Sequence, residues 1–88
     1  MKIKLKNGSF IEVDELFIES SKESEALLNK IKSFSLTYIS DACKKHPNGK
    51  EGIANALNRD IKFLTKLYDD GSVMQAFRIA KQLEDMGL

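Results

Sequence analysis

The second half of the chain is cut at short intervals, and this constrains the fold more than any other feature. The stretch His46-Pro47-Asn48-Gly49 stops a helix that reaches it, because proline disfavours helical backbone at the residue before it and Asn-Gly turns readily. Asn58 comes next, a residue type that tolerates left-handed backbone. Asp69-Asp70-Gly71 breaks the chain again, and Ser72, with Gln75 three residues on, has the spacing that caps a helix start. The spacing predicts short helices over about 50–57 and about 60–68, and a last one after Ser72. Asp60 is a good N-cap for the second. Helices this short are marginal alone in water, so their apolar faces must be buried against one another and against a larger element.

Residues 20–46 are the expected larger element. Ser20 and Glu23 have capping-box spacing, which predicts a helix start at Ser20. Leu27, Leu28 and Ile31 form its apolar stripe. The run Ser33–Ser40, "SFSLTYIS", is rich in poor helix formers. Even so, Leu28, Ile31, Ser35, Ile39, Ala42 and His46 keep helical spacing, which leaves two readings: one long helix, or two with a break near 33–35.

Ahead of this lies "MKIKLKNGSFIEVDE", which reads as a β-hairpin turning at Asn7-Gly8. A two-residue loop would mix the faces. A three-residue loop, Lys6-Asn7-Gly8 with Gly8 left-handed, pairs Ile3 with Ile11 and Leu5 with Ser9 and sets Val13 opposite Met1. It gathers Ile3, Leu5, Ile11 and Val13 on one face. Residues 15–19, "ELFIE", are expected to extend this sheet as a third strand. A lone hairpin is not stable in water, so its apolar face must cover the helices or pair with a second chain.

The expected fold is therefore mainly α, of the α+β kind: a hairpin followed by four to five helices in one domain, 1–88. Within it, 1–19 form the hairpin and third strand, 20–46 the helical segment and 50–88 the short helices. The 88 residues fit one small core. A hydrophobic content of 42% with a single proline excludes disorder. No apolar run approaches the roughly 18 residues of a membrane helix, and the lysine-alternating N-terminus is unlike a secretory signal. One cysteine, Cys43, makes no internal disulfide, which points to a reducing cytoplasm.

Chemistry-bearing constellations are few. Cys43 and His46 make a Cys-x-x-His pair, at most two metal ligands where structural zinc takes four. As a nucleophile–base dyad the pair has no visible oxyanion donor. Asp60, Asp69 and Asp70 lack the alternating oxygen ligands of a calcium loop, and no glycine spacing marks a phosphate loop. The expectation is a protein that is not an enzyme and has no metal and no cofactor. Charge says more. The total is only +1, yet residues 30–66 carry eight cations against three acids, and residues 10–29 carry six acids against Lys22. A basic middle beside an acidic shoulder hints at a polyanion-facing side.

The pattern Ile53-Ala54, Leu57, Asp60, Leu64, Leu67 resembles the helix-turn-helix of Cro/repressor-type regulators. A Fis-type helix-turn-helix overlaps it, because "NGK" before the first short helix also fits that pattern. The tail "DDGSVMQAFRIAKQLEDMGL" is similar to the segment that closes small addiction-module antitoxins. The chain departs from the pattern at Arg59, where an apolar residue is usual, and at Ile61 and Phe63, where recognition helices often carry polar residues.

The resemblance covers about 50–88. It implies a small sequence-specific DNA-binding regulator of transcription, from a phage, a plasmid or an antitoxin operon. Helix 60–68 would lie in the major groove. Lys62, Thr65 and Lys66 fall on the arc opposite Phe63, Leu64, Leu67, Tyr68 and Ile61 and would meet bases or phosphates, while Lys50 and Arg59 position the DNA backbone. A homodimer reading a palindromic site is the expected assembly. The alternative is a small phage or mobile-element protein that binds and inhibits a host protein, with these helices only as scaffold; a toxin or a host factor is the kind of protein partner expected.

Overall fold

The computed structural model describes residues 1–4 and 7–88. Two short antiparallel strands, β1 (Lys2–Lys4) and β2 (Phe10–Glu12), are followed by five helices: α1 (Glu15–Ser20), α2 (Glu25–Lys45), α3 (Gly49–Ala56), α4 (Ile61–Asp70) and α5 (Val73–Asp85). The mainly helical α+β expectation is met.

The hairpin has the register that the apolar pattern required. Ile3 pairs with Ile11, Lys2 with Glu12 and Lys4 with Phe10. Val13 N donates to Met1 O at 2.9 Å, which carries the pairing one step further. Gly8 sits at φ +84°, in the left-handed region that the three-residue loop demanded. The Leu5–Ser9 pair lies outside the described residues. Met1, Ile3 and Val13 point into the core, and Phe10 points out.

The third strand expected at 15–19 is instead helix α1. Asp14 is its N-cap, with Oδ1 accepting from Phe17 N at 2.7 Å, and Glu15 in the first turn complements the helix dipole. The capping signal thus sits at Asp14, and the helix start expected at Ser20 is wrong. Ser20 is the last residue of α1, and its hydroxyl donates back to Phe17 O at 3.0 Å. A turn through Ser21–Ser24 separates the two helices, with Ser24 N donating to Ser21 O at 2.9 Å.

Of the two readings of 20–46, α2 is one unbroken helix once it begins, at Glu25. Ser35, in the doubtful stretch, is fully buried, and its hydroxyl donates to Ile31 O at 2.8 Å. That i−4 bond supplies the partner a buried hydroxyl needs, so the serine joins the helix without an unpaired group. α2 ends before Pro47. It is the axis of the fold: α5 packs along it, α3 packs near its C-terminal end, α4 leans on α3, and α1 lies against α5. Buried side chains from β1 and all five helices form one cluster in which Ile3, Ile31, Ile39, Ile53, Leu64 and Leu83 are fully enclosed. No helix of the described residues is long and apolar enough to cross a membrane.

Candidate nucleic-acid interface

The α3–α4 pair is built by its turn. Asn58 has φ +57°; among the described residues no other non-glycine is left-handed. Asn58 N donates to Asn55 O at 3.0 Å and Arg59 N to Ala54 O at 2.9 Å. These are the two reciprocal bonds of a Schellman motif, which satisfies the last carbonyls of α3 and reverses the chain. Asp60 follows at once as the N-cap of α4, with Oδ1 accepting from Lys62 N at 3.0 Å. One helix thus ends and the next begins within four residues, 57–60.

Small residues let the elements approach. A Cβ at Gly52, buried in α3, would collide with the His46 imidazole at the end of α2. His46 Nδ1 in turn accepts from Asn48 N at 3.1 Å. The histidine is therefore engaged by the turn it ends. Cys43 is buried, and its burial pushes the thiol pKa up although Lys50 pulls the other way. A buried thiol with a raised pKa is a poor nucleophile. Among the described residues no group of three or more His, Cys, Asp or Glu side chains is placed to hold a metal ion.

On α4, Leu64 and Leu67 face the core, while Lys62, Thr65 and Lys66 lie exposed on the far side. Ile61 departs from the apolar arc assigned to it: at 43% exposure it belongs to the open surface. Lys50 and Arg59 are exposed as well, and each is set over an aromatic ring of α4. The Lys50 ammonium stands 5.4 Å from the centre of the Tyr68 ring, and the Arg59 guanidinium 4.7 Å from that of Phe63. Phe63 and Tyr68 flank the Leu64–Leu67 stripe on opposite sides, so the two cations bracket the helix. The Arg59 departure thereby acquires a physical account. Where an apolar side chain usually packs, this chain stacks a guanidinium on Phe63, four residues on.

All five residues expected to meet DNA therefore lie on or beside one exposed helix. Three further features were missed in the sequence. Tyr68 is tied to α2 through its hydroxyl, 3.0 Å from Ser40 Oγ, and burial raises its pKa. Phe63 and Tyr68 act as platforms for the cations. The Arg59–Phe63 spacing of four was readable; the Lys50–Tyr68 contact, between different helices, was not. Asp69 and Asp70, both exposed, place two acids in the last turn of α4 and cancel its two lysines.

Comparison of the chain with protein-family models, with curated proteins and with solved structures gives no match. The reading of this surface rests on its own geometry.

Proposed function

We propose that the protein binds duplex DNA through α4 and acts as a small transcriptional regulator rather than as an enzyme. One observation carries the reading: Lys62, Thr65 and Lys66 are exposed together on the arc opposite Leu64 and Leu67, with Lys50 and Arg59 bracketing the helix. Lysines supply phosphate contacts, and a threonine hydroxyl or methyl meets base edges. A helix is about 10–12 Å across with its side chains, which suits insertion of α4 into a major groove about 12 Å wide.

The acids fix the direction of insertion. Asp69 and Asp70 repel phosphates at the C-terminal end, so α4 enters by its first two turns, as recognition helices do. The test is fluorescence anisotropy with a random-sequence duplex pool at low and at high salt. Binding that weakens steeply with salt supports the reading, because phosphate contacts release counterions. No binding at low salt overturns it. A second reading has its own observation: Ile61 is 43% exposed on the same helix, and such a side chain suits a protein partner, a toxin or host factor, better than a phosphate backbone.

A further inference from the structure

Two surfaces outside the α3–α4 pair are complementary in polarity and charge. The first is α1. Leu16 is 73% exposed, and it exceeds every other large hydrophobic side chain so described. A helical wheel puts Glu19 next to it, and Ile18 faces the core from the opposite side. Asp14 and Glu15 stand at the start of the same helix, both exposed. The outer face of α1 is thus an exposed leucine flanked on one side by Glu19 and by Glu15, which pairs with Arg78 of α5.

The second surface is an open groove of about 800 Å³ between β1 and the first turns of α2. Leu27 and Phe34, both half-buried, supply its apolar lining, Lys4 and Lys30 its charge, and Ser33 and Thr37 its hydroxyls. Phe10, 61% exposed, pairs with Lys4 across the hairpin and adds an aromatic side chain beside it.

We propose that α1 of one molecule occupies this groove on a second copy, with Leu16 against Leu27 and Phe34 and Glu19 facing Lys30. Charge complementarity selects the occupant: the groove presents two lysines around an apolar patch, and the chain itself carries an exposed leucine with the carboxylate of Glu19 beside it. α1 ends at Ser20 and the groove begins at Ser24, so inserting helix and receiving groove are neighbours, and two copies can exchange α1 helices around one two-fold axis. α3 and the Tyr68–Ser40 contact of α4 lie toward the C-terminal end of α2. The proposal deepens the DNA reading by giving the regulator its pairing surface. It is tested without DNA, so either can fail alone.

Stable dimers bury roughly 1,200–2,000 Å² in total. Two six-residue helices and their surrounds reach the low end of that range, so dissociation constants on the order of 10–100 µM are expected. The experiment is sedimentation of the full chain over a concentration series, for wild type, Leu16→Gln, Glu19→Lys, Lys30→Glu and the double variant Glu19→Lys/Lys30→Glu. Circular dichroism checks that each is folded, and Lys30→Gln replaces Lys30→Glu if that variant is not. The wild type should rise toward twice the single-chain mass. Each single variant should associate at least about tenfold more weakly, and the double variant should recover most of the loss, because like-charge pairs are removed again. A wild type that keeps the single-chain mass at hundreds of micromolar overturns the proposal. So does association that is indifferent to Leu16→Gln, or a double variant as weak as the singles.

Discussion

Helices α4 and α5 are built alike and held differently. Each has a side-chain N-cap: Asp60 for α4, and Ser72 in a reciprocal capping box with Gln75 for α5. Each is joined to a Schellman turn, α4 by the one before it at Asn58 and α5 by the one that ends it. There, at φ +76°, Gly87 N donates to Glu84 O, and Leu88 N donates to Leu83 O. Yet α5 buries Ala76, Phe77, Ile79, Ala80 and Leu83 along α2, whereas α4 buries only Leu64 and Leu67 and rests on α3. The turn residues differ accordingly. The α5 end uses glycine and an apolar leucine, the least strained choice. The α3 end uses asparagine and an arginine, which costs some stability and sets a cation beside α4. One helix is spent on the core, and the other is displayed.

The comparison breaks first in the core. Phe77→Ala in α5 should cost about 3–5 kcal/mol, read from denaturant midpoints, because it empties an almost fully buried site. A cost under about 1 kcal/mol would mean that α5 is not the anchor described. Native-state hydrogen exchange sharpens the same point: α4 amides should exchange at a lower opening free energy than those of α5.

The turns come next. Gly8→Val should cost more than about 1 kcal/mol, since a β-branched residue resists positive φ. Asn58→Gly, in contrast, should leave stability unchanged or raise it by up to about 1 kcal/mol, as glycine takes the left-handed region without a Cβ penalty.

The smallest effects on folding belong to the displayed face. Lys62→Ala, Thr65→Ala and Lys66→Ala should each shift stability by no more than about 0.5 kcal/mol. Their effect should appear in DNA binding. Each lysine variant should lower the slope of log affinity against log salt by about one unit, and Thr65→Ala should relax preference at one base position with the slope unchanged. Lysine variants that bind as the wild type does would sink the DNA reading. Alkali should probe the tie between α4 and α2. Tyr68 is raised chiefly by burial, so its contribution is complete below the unfolded phenol value of about 10 and is lost as pH rises through the folded value. Tyr68→Phe should reduce the late phenolate signal of an absorbance titration and leave the share of Tyr38, which burial also raises; an undiminished late signal would count against a raised Tyr68.

The sequence was most legible where local chemistry decides the outcome. The Ile3–Ile11 register, the left-handed Gly8 and Asn58, the Asp60 cap and the Ser72–Gln75 box each follow from residues within a few positions of one another. Reading failed where two local signals competed. "DELFIES" contains β-favouring Phe17 and Ile18, but Asp14 as cap and the packing of α1 on α5 make it helical, and the second factor is 60 residues away. Ser20–Glu23 offered a capping box whose serine was already the last residue of a helix. At the candidate interface, the outward position of Lys62, Thr65 and Lys66 was readable from a 3.6-residue period. The stacking of Lys50 on Tyr68 and the exposure of Ile61 were not, since they depend on how α3 and α4 pack.

The contact of α1 with α5 has a consequence for synthesis. Glu15 pairs with Arg78, and the groove between the two helices is walled by Leu16 on one side and Phe77 and Lys81 on the other. α1 is translated before α2, α3 and α4, and its partner α5 follows them all. A two-stranded hairpin and a six-residue helix are too small to hold structure alone, so they must wait, apolar faces exposed, until α5 has been made. Chains stalled before α5 would therefore present Ile3, Val13 and Ile18, all buried in the fold, to the cell's chaperones and proteases.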